Sequence, residues 1–539
     1  MWGAFTTPSS PAHCYLGLSP AGLIRVVSPF DAVTQAQLKR IRPRGHWHGP
    51  AAGWEFPLAA ADALQRQLGK RFHIAPDLEQ WLSWSRHPLP PMPSHRDLVA
   101  SADLQQVLPD GRQPLRHQRS GVRWLLARRG ALLADEMGLG KTLTALLAAR
   151  AMVRCMEVRV LVIAPVGLHR HWRQEADAVG LSIALASWAR LPGDLPPAGT
   201  VLLVDEAHFA QSIRAKRTAA LLRLARHPRL RAIWMITGTP MKNGRPAQLY
   251  PLLAAIDHPI ARDRRSYEER FCQGHWREQR GRQRWQADGA SELEGLRRLT
   301  RPLILHRRKA QVLDLPPKRR ALHPVELTER EALGFDHRVD LVVEDYRHRV
   351  RLGQVRSDAE PLAVLTSLRR IASEFKLPAL ETLLSRLRSD GQAVVVFSGF
   401  VDPLVLLHQR VGGELLTGRQ RPQDRQRAVD RFQQQDCDLL LATYGTGGLG
   451  FTLHRARHVV LLERPWTPGD LEQAEDRCHR LGMGDGLTCH WLQLGPADQL
   501  VDGLVASKAE RIDVLLGPRR IALERQSLPA MVRSCLQAA

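Results

Sequence analysis

The sequence predicts an α/β protein built of two parallel-sheet lobes with helical insertions and a small N-terminal module. Three observations carry that expectation. At 539 residues the chain is too long for one hydrophobic core, so several domains are required. Apolar residues make up 44% and charged residues 24%, the balance of a globular protein. Short apolar runs alternate with helix-like segments in two separate series, which is the pattern of a parallel sheet covered by helices.

In chain order, residues 1–100 are rich in Pro, Trp and Gly and read as an N-terminal module that ends in a linker, "PPMPS" at 90–94. The first lobe spans 101–305. Its strands are "GALLAD" (130–135), "VRVLVIAP" (158–165), "TVLLVDE" (200–206) and "AIWMITGTP" (232–240), separated by helical segments at 142–154 and 168–178. From 245 to 375 the strand pattern is lost, and 306–375 reads as a helical, basic insertion broken by Pro316 and Pro317. The second lobe, 376–539, carries "QAVVVFSGF" (392–400), "CDLLLATYG" (437–445), "HVVLLERP" (458–465) and "LTCHWLQL" (487–494). Two such lobes leave a cleft between them, where ligands of α/β proteins often bind.

The formal net charge is +23 and the pI about 10.7, which suits a polyanion-binding protein because neutralised phosphates release counterions. Only nine of the 77 basic residues are lysine, a bias of gene composition that leaves the excess over acids unexplained. The excess is local. Residues 261–320 hold 17 basic and 8 acidic side chains, against an excess of about 2.6 expected from the chain average. The stretch fits a phosphate track or a solvated helical surface.

Apolar stretches fall short of the ~20 residues a membrane span needs. The N-terminus has no basic segment followed by an apolar core, so the chain is expected inside the cell. Seven scattered cysteines without C-x-x-C spacing argue against a zinc site or disulfide framework. His46 and His48 lack further ligands beside them and read as loop histidines.

The chemistry concentrates in "LLADEMGLGKTLTALLAAR" (132–150). A strand, a tight turn and a helix N-terminus are what a phosphate loop requires. Gly138 and Gly140, flanking Leu139, let the backbone approach phosphates; Lys141 reaches the β/γ-phosphates; and Thr142 is placed to hold Mg²⁺. The general spelling has glycine where this chain has Asp135, a difference that matters only if that residue must be left-handed. Some sixty residues on, Asp205 and Glu206 end a strand. Asp205 could hold Mg²⁺ through water, and Glu206 could orient or deprotonate an attacking water.

DEMGLGKT together with DEAH at 205–208 resembles the superfamily 2 helicase-type ATPases, specifically the SNF2 family, in which an acidic residue is usual at the position of Asp135. The resemblance covers about 112–515 and implies two RecA-like lobes around one ATP–Mg²⁺ site. Through it, "PLRHQRSGVRWLL" looks like the adenine-recognition segment, with Gln118 near the base. "APVGLHRHWRQE" (164–175) and "ITGTPMKN" (236–243) resemble motifs that contact the DNA backbone and couple the lobes. "YEERFCQGHW" and "LHRRKAQVLDLPPKRR" match the stretch entering the second lobe, and "FSGF" (397–400) with 442–482 the later motifs. Arg477 and Arg480 match the family's arginine fingers, whose permanently charged guanidinium suits developing phosphoryl charge; arginines paired to Glu475 and Asp476 are the alternative. Met483 stands where the family usually has glutamine.

Residues 40–68, with Pro43, Trp47, Trp54 and Phe56, resemble the HARP repeat of the SMARCAL-like annealing-helicase branch, although a small aromatic-cored domain would look similar. The resemblance implies an ATP-dependent translocase acting on double-stranded or branched DNA in repair. Its expected place is a bacterial nucleoid, or a nucleus if the chain is eukaryotic. A remover of DNA-bound protein would share every motif. A DNA-binding scaffold that uses ATP as a switch would not need the hydrolytic residues.

Overall fold

Short β-rich runs pair into three main sheets and one hairpin. The computed structural model describes residues 14–516, apart from 29–30, 49–52, 69–71, 242, 280, 355–358, 448–450, 452, 480–482 and 484. The N-terminal module is a mixed five-stranded sheet of β1 (Cys14–Leu18), β2 (Ile24–Val27), β3 (His46–Trp47), β4 (Trp54–Phe56) and β5 (Phe72–Ile74), in the order β3-β4-β2-β1-β5. Trp54 and Phe56 alternate inward and are buried in its core, while Trp47 lies at the edge with its ring 5.5 Å from that of Trp54.

The first lobe contains β6 (Gly130–Leu133), β7 (Arg159–Ala164), β8 (Ala184–Ser187), β9 (Thr200–Asp205) and β10 (Leu230–Ile236). After a protruding hairpin of β11 (His275–Gln279) and β12 (Arg282–Gln286), β13 (Ile304–Leu305) returns to complete a parallel sheet in the order β13-β6-β10-β9-β7-β8. Every residue of β9 is buried, as expected of a central parallel strand covered on both faces. Helix Lys141–Cys155 is buried continuously from Leu143 to Met152, so it is enclosed on all sides, with the one buried charge, Arg150, donating to the Ala102 carbonyl at 2.9 Å. That burial fixes the loop at its N-terminus.

The second lobe is a parallel sheet of β14 (Lys318–Pro324), β15 (Val394–Ser398), β16 (Glu414–Leu416), β17 (Leu439–Thr443), β18 (His458–Leu461) and β19 (Leu487–Gln493), in the order β14-β19-β18-β15-β17-β16. The region 245–375, expected to lack strands, therefore holds four. The segment 306–375, read as a helical insertion, contains, after a short helix at Lys309–Val312, β14, an edge strand of sequence KRRALHP whose polar residues hide its backbone pairing. A row of histidines crosses this edge. The rings of His323 and His458 each lie within 2.9 Å of a ring nitrogen of His490.

Two contacts tie the parts together. Arg226 of the first lobe donates to the Ala21 carbonyl at 2.7 Å, and the Trp81 ring stands 4.8 Å from that of His227, so the N-terminal module docks on the first lobe. Helix Gly495–Leu516 begins in the second lobe, where the fully buried Lys376 pairs with Asp498. It ends with Ile512 packed against the first lobe's core. Among the described residues no helix is long and apolar enough to cross a membrane.

Candidate nucleotide site between two lobes

The turn after β6 is shaped by Gly138 and Gly140, both left-handed at φ 83° and 71°. A β-carbon on Gly140 would lie 2.1 Å from the Gln118 amide nitrogen, so glycine is the residue that fits. Gln118 is buried; it donates to the Leu139 carbonyl at 3.3 Å and accepts from Leu115 N at 2.9 Å. His117 also contacts the Leu139 carbonyl, at 2.9 Å. Gln118, expected near the base, braces the loop through these contacts, and Leu139 is itself buried.

Asp135 does not take a left-handed conformation. Its buried carboxylate is instead gripped by Arg307, whose Nε donates to both oxygens at 3.0 and 3.2 Å and whose Nη2 makes a further close contact. Arg307 also reaches the His117 carbonyl and, at 2.9 Å, the Ser120 hydroxyl. What Asp135 offers the loop is its carbonyl. The Lys141 ammonium donates to it at 2.7 Å and to the Glu136 carbonyl at 3.0 Å, and burial pushes that ammonium's pKa down. Thr142 is half-buried in the first helical turn. N–H groups at this turn and the positive end of the helix make a cradle for an anion.

Beside the loop, β9 delivers Asp205 and Glu206. Asp205 accepts from the Trp172 indole at 2.8 Å and from Glu206 N at 2.8 Å. Burial, and then the Glu206 carboxylate, push its pKa up. Glu206 is a non-glycine residue at φ 47°, a strained conformation that tends to persist where surroundings over-determine it. Burial works to raise its pKa, but the His208 ring at 3.1 Å, Arg477 and Lys141 together hold it below the usual carboxylate value. Neighbouring carboxylates pushed apart in this way can play different roles. Gly238 leans over the loop, since a β-carbon there would stand 2.8 Å from Met137 Cγ and 3.5 Å from Lys141 Nζ.

The second lobe contributes helix Pro468–Cys478, on which Arg477 is buried and close enough for its charge to act on Glu206. The two acids preceding it have partners of their own. Glu475 takes Lys318 at 2.9 Å and Arg320 at 2.6 Å, and Asp476 takes Lys309 at 2.9 Å. Lys309 also donates to the His479 carbonyl at 2.9 Å, while its backbone N–H donates to Glu136 at 2.7 Å. One lysine therefore joins the phosphate loop to the helix carrying Arg477. Arg480 lies outside the described residues. Met483 is half-buried against the second lobe's core.

Trp172, His208, Arg307 and Lys309 escape a reading of the sequence as site members. Trp172 had a signal, since with Ala176 it forms the buried pair on an otherwise polar helix. Arg307 and Lys309 sit in a basic run whose inward and outward members have the same spelling.

Residues 117–182 and 198–377 match the SNF2-related domain, and residues 376–482 match the helicase conserved C-terminal domain. The chain is an SNF2-family ATPase. This SNF2 chain is 27% identical over 447 residues to mouse "DNA annealing helicase and endonuclease ZRANB3", covering 76% of this chain and 41% of the mouse protein. It is 27% identical over 457 residues to Xenopus tropicalis "SWI/SNF-related matrix-associated actin-dependent regulator of chromatin subfamily A-like protein 1", covering 77% and 46%. To Bacillus subtilis "Putative ATP-dependent helicase/translocase YwqA" it is 25% identical over 487 residues, covering 78% and 51%. The SNF2 chain thus spans about half the length, or less, of these relatives.

Proposed function

We propose that this SNF2-family ATPase is a translocase on double-stranded DNA that remodels or reanneals branched DNA. The observation that carries the reading is the meeting of the lobes at the phosphate loop, where Lys309 donates from its backbone to Glu136 at 2.7 Å and from its side chain to the His479 carbonyl at 2.9 Å, beside Arg477, whose charge acts on Glu206. Hydrolysis then depends on how the lobes sit, and that dependence lets ATP turnover drive motion. Lys141 exchanges its carbonyl contacts for the β/γ-phosphates. Glu206, kept ionised, orients and deprotonates water, while Arg477 and Arg480 meet the charge that develops on the transferred phosphoryl. Thr142 and Asp205 offer oxygen donors alone, the set that Mg²⁺ takes, and a cation beside Asp205 would offset the burial of its charge. Mg²⁺, when bound, neutralises phosphate charge.

The net charge of +23 supports a polyanionic track. The names of the mouse and Bacillus relatives support DNA and translocation, and the resemblance of residues 40–68 to the HARP repeat supports a role at branches. A place at the nucleoid, or in a nucleus, goes with that reading.

The test is ATP hydrolysis by the protein alone and with single-stranded, duplex and forked DNA at matched nucleotide concentration and fixed salt. Stimulation by duplex, and more by forks, is expected. No response to DNA would sink the translocase and leave a scaffold. Equal response to any duplex, with a visible effect only on DNA carrying bound protein, would favour the protein remover. Glu206→Gln should keep ATP binding and lower turnover by roughly 10²–10⁴-fold, and turnover near wild type would refute its role as base.

A further inference from the structure

The hairpin β11–β12 projects from the first lobe and takes no part in the nucleotide site. Its stretch 275–286 holds four arginines, at 277, 280, 282 and 284, against the single acid Glu278. The neighbouring helix Arg264–Phe271 is different. There Arg264, Arg265 and Arg270 pair with Glu268, Glu269 and Glu292 at 2.6, 2.9 and 2.8 Å, so the helix is charge-balanced where the hairpin beside it is not.

Two features of the hairpin are costly for a solvated turn. Arg277 and Arg284 are exposed and directly opposite one another in register, and like charges in that position repel. An anion between them would turn the repulsion into a site. On the alternate face Trp276 pairs with Trp285, their rings edge to face at 5.6 Å and 75°. Trp285 is anchored: its indole donates to Glu268 at 2.6 Å, and the Arg265 guanidinium stacks 3.5 Å from its ring centre. The Gly274 N–H, donating to the Glu268 carbonyl at 2.8 Å, fixes the hairpin's base to the same helix. Trp276 nonetheless remains 53% exposed. An exposed tryptophan that packs on an anchored one and has the Arg265 guanidinium 4.9 Å from its ring centre, on a ribbon whose other face carries Arg277 and Arg284, has the composition of a stacking platform for a base with phosphate contacts nearby.

Resting on the translocase reading, we propose that this hairpin engages the unpaired bases at a junction of single- and double-stranded DNA, with Trp276 stacking on a base on one face of the ribbon and Arg277 and Arg284 on the other face taking phosphates of the strand that passes around it. An intact duplex offers no free base face, so the tryptophan discriminates branched from plain DNA, whereas the arginines do not.

The experiment uses the full chain with 2-aminopurine placed at the first unpaired position of a fork, and with a blunt duplex of equal length at the same salt. The wild type should quench the probe and bind the fork more tightly than the duplex. Trp276→Ala should abolish quenching and lower the fork-to-duplex affinity ratio about tenfold. Trp276→Phe, which keeps a ring, should retain most of both and guards against misfolding. Arg277→Glu with Arg284→Glu should weaken binding to both DNAs alike and flatten the salt dependence. Quenching and fork preference surviving Trp276→Ala would overturn the proposal while leaving duplex-driven hydrolysis, and so the translocase, intact. Equal loss on fork and duplex would overturn base stacking. A wild type that ignores DNA altogether would bring down the translocase reading itself.

Discussion

The Asp135–Arg307 pair shows how a change in spelling at a phosphate loop can be built into the surrounding packing. A carboxylate with 2% of its side chain exposed and a guanidinium with 14% have little water to turn to if either partner is lost. Removing one member of such a pair costs about 3–5 kcal/mol, because the other remains buried and charged. Asp135→Gly, which restores the general P-loop spelling, should therefore destabilise the protein by roughly that amount, read by chemical denaturation; a neutral or stabilising effect would show that Arg307 finds other partners. The departure from the common motif is visible in the sequence. Its cause is not, because the partner is 172 residues away in a run of arginines whose spelling does not say which one turns inward. Trp172 is similar, since its helix lies in a segment expected to touch DNA, yet its indole is spent on Asp205.

Among elements, the helix Pro468–Cys478 depends on cations from outside itself. Burial disfavours the Lys318 ammonium, but Asp476 and Glu475 hold its pKa up at about 12, so the clamp keeps its charge across the working pH range. Lys309 fixes the same helix from the side of the phosphate loop. Lys309→Ala should lower kcat by about tenfold or more through misplacement of Arg477, while ATP affinity by equilibrium binding changes little; a matched loss in binding would make Lys309 a nucleotide contact instead of a positioning residue. The histidine row belongs to this scale too. Burial, reinforced by His458 and His323, pushes His490 down to about 4, below its unfolded value. An unfolded chain then takes the proton first, so stability from His490 is complete above pH about 6.5 and is lost as pH falls towards 4. The melting temperature should drop across that window at constant ionic strength, and more shallowly in His490→Gln; identical slopes would discharge the row of any such role. The central strands are legible because both their faces are apolar. Strand β14 and the hairpin are not, because edge and protruding strands are held by backbone pairing that leaves side chains polar.

At the scale of the whole molecule, helix Gly495–Leu516 begins fastened to one lobe and finishes against the other. Ile512→Asp places a charge in that second contact. Small-angle scattering should then report a larger radius of gyration, and DNA-stimulated hydrolysis should fall although the second lobe still melts as before. An unchanged radius would mean that the lobes hold together without the helix. Two α/β lobes were readable from two alternating series of runs, but their mutual placement was not, since it rests on single residues such as Lys309 and Ile512. The docking of the N-terminal module through Arg226 and Trp81 has its own consequence. Dyes placed on the module and on the first lobe should glow with constant energy transfer through turnover, while a pair spanning the module and the second lobe should flicker once per ATP.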